Sequence, residues 1–320
     1  MKLRTQLPNS MKQKEFEMKL LLTGAFNYTE QQIKRIKDIG FEIVFVQDER
    51  KPLNIDVSDI DGVVCNSLFL HNDIKLFDKL KFIQLTSAGL DRVPLDYIEN
   101  NGIKLYNAKD VYSIPMAEWV ILKILEIYKK SSQFYKAQSQ QKWEKQRNLL
   151  ELTDKTAAII GFGSVGLEVA KRLKGFGVNL IGVGRREITS KYIDEYYKIE
   201  KIEEVLKKSD IVILTVPHTK ETTDLIDAKK LDYMKDDSIL INVSRGGVLN
   251  QDELIQSLNN HKFLGVALDV FIEEPLSEES ELWAFERVIV TPHNSFVSDK
   301  VNERLFEMLF QNLSTHFIPR

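Results

Sequence analysis

The chain has 320 residues, of which 43% are hydrophobic and 28% charged, with a formal net charge of −3 and one cysteine. That length predicts one large or two ordinary domains, and that composition a globular chain with a full core rather than a disordered one. The small, interspersed charge excludes a general nucleic-acid surface, a lone cysteine excludes an internal disulfide, and no apolar run reaches the length of a membrane span.

Residues 1–17 are polar and basic without a hydrophobic centre, so they read as a disordered leader rather than a signal peptide, and a cytoplasmic protein is expected. From Met18 onward, apolar runs alternate with helical patterns. Lys19 to Thr23 is a predicted strand. Thr29 and Gln32 make a capping box before a helix over Glu30 to Ile39, which Gly40 ends. Strands follow at Phe41 to Val46 and at Gly62 to Cys65, where Cys65 reads as a core residue. The pattern then predicts a helix over Asp73 to Leu80, a strand over Phe82 to Thr86, a short helix over Leu95 to Asn100 closed by Gly102, and a strand over Ile103 to Tyr106. A long helix from about Met116 to Tyr128, running on toward Trp143, reads as the crossover between two units and as a contact between copies of the chain. Trp119, Trp143 and Trp283 read as packing residues.

The stretch Thr156 to Gly175, TAAIIGFGSVGLEVAKRLKG, organises the second unit. A short apolar strand, Ala157 to Ile160, leads into Gly161, Gly163 and Gly166 spaced as G-x-G-x-x-G, and a helix follows. Gly161 permits a tight turn, Gly163 lets backbone approach a pyrophosphate, and Gly166 lets the helix pack on the strand. Beyond it come a strand over Asn179 to Val183, a helix over Ile202 to Lys207, a strand over Ile211 to Val216 and a helix over Ala228 to Met234. A strand over Ile239 to Val243, a helix over Gln251 to Leu258, and strands over Leu264 to Leu268 and Val288 to Val290 complete the unit. The last helix, about Asp299 to Leu313, is expected to return to the first unit. Strands alternating with helices predict parallel sheets covered on both faces.

Ligands of an open parallel sheet bind beyond the carboxyl ends of its strands. There stand Gly184-Arg185-Arg186, Val216-Pro217-His218, Ser244-Arg245-Gly246-Gly247, Asp269-Val270-Phe271 and Pro292-His293, with Glu274 shortly after Asp269. Alone, His293 reads as a loop histidine, Glu274 as a solvated turn residue and Arg245 as a surface arginine. Together these strand ends put Arg245, Asp269 and His293 along one crevice, with Glu274 just after Asp269. Histidine as a residue type can donate a proton near neutral pH, a carboxylate beside it fixes the ring, and arginine can grip a carboxylate and a carbonyl together.

The set GFGSVG, NVSRGG, ALDVFIEEPL and TPHNS resembles the D-isomer-specific 2-hydroxyacid dehydrogenase family from Met18 onward. The resemblance implies two doubly wound α/β parallel-sheet domains, a Rossmann nucleotide domain (113–296) inserted in a flavodoxin-like substrate domain (18–112 and 297–320). It implies a short form of the glyoxylate/hydroxypyruvate reductase or phosphoglycerate dehydrogenase type, with no appended regulatory domain. By position it makes Arg245 the substrate-binding arginine, Glu274 its acidic partner and His293 the proton donor. Ser164 and Val165 lie under the pyrophosphate with Gly161, Gly163 and Gly166. Val216, Pro217, Thr222, Val243, Ser244 and Asp269 surround ribose and nicotinamide. The loop Ser87-Ala88-Gly89-Leu90-Asp91 resembles the one whose backbone N–H groups hold the substrate carboxylate, with Ala88 and Gly89 in the substrate role. A homodimer is expected, and neither a metal, a nucleic acid nor a membrane as partner.

The chain departs from the pattern at the end of its second nucleotide-domain strand. An acidic residue there would bind a ribose 2′-hydroxyl; instead Gly184 is followed by Arg185 and Arg186, so NADP is expected in preference to NAD. The loop Cys65 to Phe69 lacks the arginine a phosphorylated substrate would want. Formate oxidation is disfavoured by a carboxylate at Glu274 where an amide is needed. A nucleotide-sensing co-repressor on the same fold stays open as an alternative, since such relatives keep the three residues.

Overall fold

The structure is a computed structural model that describes residues 18–316; the expected leader, residues 1–17, lies outside them. The described chain divides into two compact units, one of residues 18–108 with 302–316 and one of Lys109–Val301. Among the described residues no helix is long and apolar enough to cross a membrane.

The first unit runs β1 (Met18–Thr23), α1 (Glu30–Asp38), β2 (Phe41–Val46), β3 (Gly62–Cys65), α2 (Leu68–His71), β4 (Phe82–Leu85), α3 (Leu95–Asn100) and β5 (Lys104–Tyr106). Its five strands are all parallel in the order β2-β1-β3-β4-β5, the flavodoxin-like arrangement. Every residue of β3 and β4 is buried, which requires cover on both faces and explains why these strands read as unbroken apolar runs. Both bonds of the Thr29–Gln32 capping box are present at α1. The closing helix α10 (Val301–His316) is joined to α1 by a forked pair, Arg35 to Glu307 at 2.5 and 3.0 Å, and the guanidinium lies over Phe306 and Phe310.

The second unit runs α4 (Ser113–Tyr128), α5 (Ser131–Ser139), β6 (Thr156–Ile160), α6 (Ser164–Leu173), β7 (Asn179–Gly184), β8 (Glu195–Lys198), α7 (Ile202–Lys208), β9 (Ile211–Leu214), α8 (Ala228–Tyr233), β10 (Ser238–Asn242), α9 (Gln251–Asn259), β11 (Phe263–Leu268) and β12 (Val288–Val290). Its seven parallel strands lie in the order β12-β11-β10-β9-β6-β7-β8, so the order reverses at β6, as in a Rossmann sheet. Alternate residues of each strand feed two cores. Ala158, Ile160, Val212 and Leu240 join the one under α7, α8 and α9; Ala157, Ile159, Ile211 and Ile239 join the one under α4 and α6.

Three expectations need correction, and one strand is added. No helix spans 73–80: there is only a 3₁₀ turn at Ile74–Leu76, after the short α2. Ile74, Phe77 and Leu80 are buried three residues apart, and the N–H groups of Phe77 and Leu80 each reach back three residues, to Ile74 and Phe77, which matches 3₁₀ spacing rather than α. The long helix stops at Tyr128, because Lys130 takes a left-handed φ of 53°, and α5 ends well before Trp143. Trp143 is 94% exposed and Trp283 54%, so neither packs in a core, whereas Trp119 does lie against the α4–α6 core. The edge strand β8 was not anticipated: its sequence, EYYK, buries no residue completely.

Candidate active site

At the glycine loop, Gly161 has a φ of +99°, and a Cβ there would stand 2.5 Å from the Val216 backbone nitrogen. Only glycine permits both. Thr215 fixes the turn by donating its hydroxyl to the Gly161 carbonyl at 2.6 Å. A Cβ at Gly166 would lie 2.8 Å from that same carbonyl oxygen, so α6 packs directly on β6. Gly163 is the N-cap of α6, supplies no side-chain cap, and faces open space. The first N–H groups of α6, around Ser164 and Val165, therefore point into a clear anion cradle, which fits a dinucleotide pyrophosphate.

At the end of β7, Gly184 is half-buried and Arg185 and Arg186 are exposed. Across from them the loop after β9 carries Val216, Pro217, Thr219 and Thr222. Thr222 donates to the Pro217 carbonyl at 2.7 Å and accepts from the Thr219 N–H at 2.7 Å, so its hydroxyl holds the loop together. The Glu221 carboxyl is held below the ordinary glutamate range, first by the Thr219 hydroxyl and then by backbone and the charges of Arg185 and Lys220. Val243 and Ser244, at the end of β10, are buried.

Arg245, Glu274 and His293 stand on three successive strand ends of the same unit. Asn242 builds the arginine turn: its Oδ1 accepts from the Ser244 N–H and hydroxyl, and its Nδ2 donates to the Arg245 carbonyl. Gly246 brings that turn onto the next strand's loop, since a Cβ there would lie 1.9 Å from the Phe271 carbonyl carbon and 2.3 Å from the Ile272 nitrogen. Three residues on, Glu274 accepts the Phe271 N–H at 3.0 Å through Oε1 and meets His293 Nδ1 at 2.8 Å through Oε2. An ionised carboxylate only accepts, so Nδ1 carries a hydrogen and donates, and Nε2 is the ring atom left to exchange a proton. The His293 ring also packs edge-to-face on Phe296, at 5.9 Å.

The backbone of His293 is left-handed, with φ +48°, a conformation that a non-glycine residue holds only when its surroundings impose it. Asp269 imposes it. Fully buried at the end of β11, it accepts from the Thr291 hydroxyl (2.5 Å), the Asn294 N–H (2.8 Å) and the Ser295 N–H (2.9 Å). Asp269→Ala would strand those three donors, each at a cost of roughly 1–3 kcal/mol where water cannot reach; since Ser295 is buried while Thr291 is half-buried and Asn294 exposed, urea unfolding should show a loss of about 2–4 kcal/mol. A loss well below 1 kcal/mol would mean that the turn holds itself.

In the first unit, the Ser87–Asp91 loop follows β4. Asn107 donates to the Ala88 carbonyl at 2.6 Å and the Ser87 hydroxyl to the Gly89 carbonyl at 3.1 Å. Neither the Ala88 nor the Gly89 N–H has a partner among the described residues, so both are available. In the loop after β3 the N–H groups are already used: the buried Glu49 accepts from the Asn66 and Ser67 N–H groups and from the hydroxyls of Ser67 and Thr23. Sequence reasoning passed over Glu49, Asn242, Thr215 and Tyr196. Only Asn242 carried a signal, an Asx residue two before Ser244 at a strand end.

Residues 121–295 match the profile of the D-isomer specific 2-hydroxyacid dehydrogenase, NAD binding domain. The chain is 30% identical over 318 residues to a glyoxylate reductase of Pyrococcus furiosus, covering 95% of this chain and 92% of that one. It is 30% identical over 292 residues to a D-3-phosphoglycerate dehydrogenase of Methanocaldococcus jannaschii, covering 89% of this chain but 55% of the relative. Among solved structures, an NADPH-dependent glyoxylate/hydroxypyruvate reductase from Sinorhizobium meliloti, in complex with NADP and malonate, superposes with a TM-score of 0.80 at 25% identity, covering 94% of this chain and 93% of that one.

Proposed function

The chain belongs to the D-isomer specific 2-hydroxyacid dehydrogenase family of NAD(P)-dependent oxidoreductases, and on that premise we propose that it reduces a small, unphosphorylated 2-oxo acid to the D-2-hydroxy acid, with NADPH preferred over NADH. The observation that carries this reading is the hydrogen-bonded Glu274–His293 pair, set beside the Arg245 turn by the close approach at Gly246. When bound, the reduced nicotinamide supplies the hydride for the carbonyl carbon. His293 gives the proton from Nε2 to the carbonyl oxygen, and Glu274 holds the ring through Nδ1 as that proton leaves. Arg245 grips carboxylate and carbonyl, polarising the second while staying charged. In the first unit, the N–H groups of Ala88 and Gly89, without a partner among the described residues, are suited to hold a carboxylate.

The α6 cradle of Gly161, Gly163, Ser164, Val165 and Gly166 holds the pyrophosphate, and Val216, Pro217, Thr222, Val243, Ser244 and Asp269 surround ribose and nicotinamide. The commitment of the Asn66 and Ser67 N–H groups to Glu49 supports a substrate without phosphate, because neither of them is left to hold one. A homodimer belongs to the same reading, supported by Phe134, Tyr135 and Trp143, which stand exposed in and after α5. A panel of 2-oxo acids assayed with NADPH and NADH tests the proposal. Failure of glyoxylate, hydroxypyruvate and pyruvate alike to oxidise either cofactor would reject it.

Cofactor choice is tested by binding. Truncating both Arg185 and Arg186 to alanine should weaken NADPH by about 10–100-fold and NADH by less than about 3-fold, since charge-assisted bonds to a phosphate are worth roughly 1.5–3 kcal/mol and exposure discounts them. The difference should widen at low salt. Tighter NADH than NADPH binding by the wild type, or equal losses of both, would reject the preference.

A further inference from the structure

We propose that Tyr196, on the edge strand β8, determines the cofactor choice of this chain by closing position 184 to any side chain and by fixing the Arg185–Arg186 turn. The inference rests on the reading that the two arginines meet a 2′-phosphate. A Cβ at Gly184 would stand 2.4 Å from the Tyr196 hydroxyl oxygen and 3.6 Å from its Cζ. The backbone there is not left-handed, so space and not φ requires glycine. An aspartate or glutamate at the end of β7 is what would accept bonds from a ribose 2′-hydroxyl and repel a 2′-phosphate. Tyr196 therefore occupies the place of the group that would select NADH.

The phenol cannot swing aside cheaply. Tyr196 pairs with Gly182 across the β7–β8 ladder, and a Cβ at Gly182 would lie 3.0 Å from its ring. That ring meets Phe162 edge-to-face, with centroids 6.5 Å apart, and Phe162 stands between Gly161 and Gly163 in the glycine loop. The hydroxyl donates to the Arg186 carbonyl at 2.5 Å. Burial and then the Glu187 charge raise its pKa, which keeps it a donor through neutral pH. One side chain thus ties the loop that cradles the pyrophosphate to the turn that carries the two guanidinium groups. Tyr196 is a positioning residue: it acts through the arginines and through the shape of the strand end.

The test titrates NADPH and NADH separately into wild type, Tyr196→Phe, Gly184→Asp and the double variant Gly184→Asp/Tyr196→Ala, by calorimetry or by quenching of intrinsic fluorescence. Tyr196→Phe keeps the ring and loses one hydrogen bond, so NADPH affinity should fall about 2–10-fold while NADH changes by less than about 2-fold. A general loosening of the domain would weaken both alike. Gly184→Asp alone should weaken both cofactors, and the double variant should recover NADH binding about 10-fold over it without recovering NADPH. A wild type that prefers NADPH and keeps an unchanged preference in Tyr196→Phe overturns the role of the tyrosine alone. So does a Gly184→Asp variant that already gains NADH affinity. A wild type that prefers NADH overturns the underlying cofactor reading and this inference with it.

Discussion

His293→Ala is expected to lower kcat for 2-oxo acid reduction by roughly 10²–10⁴-fold, the range found for a positioned proton donor. The reason lies in how the ring is held. Glu274 takes Nδ1 at 2.8 Å, Phe296 packs against the ring, and Asp269 secures the backbone on both sides of the residue, so Nε2 has one direction to face. Alanine removes the ring while the Asp269 bonds, all to other residues, remain. The fold should survive, since the Glu274 side chain left behind is 36% exposed and can be hydrated. NADPH affinity should change by less than about 3-fold, because the proton donor is not needed to hold the nucleotide. Turnover close to wild type would remove His293 from the chemistry.

Arg245→Ala should cost about 10²–10⁴-fold in kcat/KM, the loss of two charge-assisted hydrogen bonds at roughly 1.5–3 kcal/mol each. Both constants should move, KM upward and kcat downward, because the guanidinium touches ground state and transition state alike. The turn itself should persist: Asn242 builds it through the Ser244 N–H and the Arg245 carbonyl, none of which the substitution removes. Arg245→Lys should restore only part of the loss, since an ammonium cannot fork across carboxylate and carbonyl. A lysine variant equal to wild type would show that charge alone is required. A KM effect with kcat untouched would confine Arg245 to ground-state binding.

Both sheets were legible in the sequence because strands buried on two faces read as unbroken apolar runs between helical patterns. The glycine loop was legible for a different reason: two close approaches, of Gly161 to Val216 and of Gly166 to the Gly161 carbonyl and Ile159, exclude a side chain, and Gly163 between them leaves the space before α6 clear. What the sequence concealed depends on contacts made far along the chain. The strand β8 buries little and sits at an edge, so EYYK has neither the apolar run nor the alternation of its neighbours. The stop after Tyr128 carries no glycine or proline and depends on a lysine taking a left-handed turn. The three apolar residues Ile74, Phe77 and Leu80 satisfy a helical template as well as a 3₁₀ one. Asp269 read as a cofactor neighbour, and nothing local revealed that it clamps a turn more than twenty residues downstream.

Arg245, Glu274, His293 and the clamp Asp269 all ride on one compact unit: Gly246 packs the arginine turn on the loop after β11, and the side chains of Glu274 and Asp269 reach from that loop to the turn after β12. On the proposed reading, His293, Glu274 and Arg245 are therefore in register before any substrate arrives. No reorganisation of these groups remains to be done at the moment of reaction, which is where a pliable site would lose rate. Conformational change would, on that reading, be left to admission and release, while the alignment of His293 on Glu274 is a property of the folded chain. Turnover should accordingly respond to solvent viscosity when release limits it, and the intrinsic proton-transfer step should not.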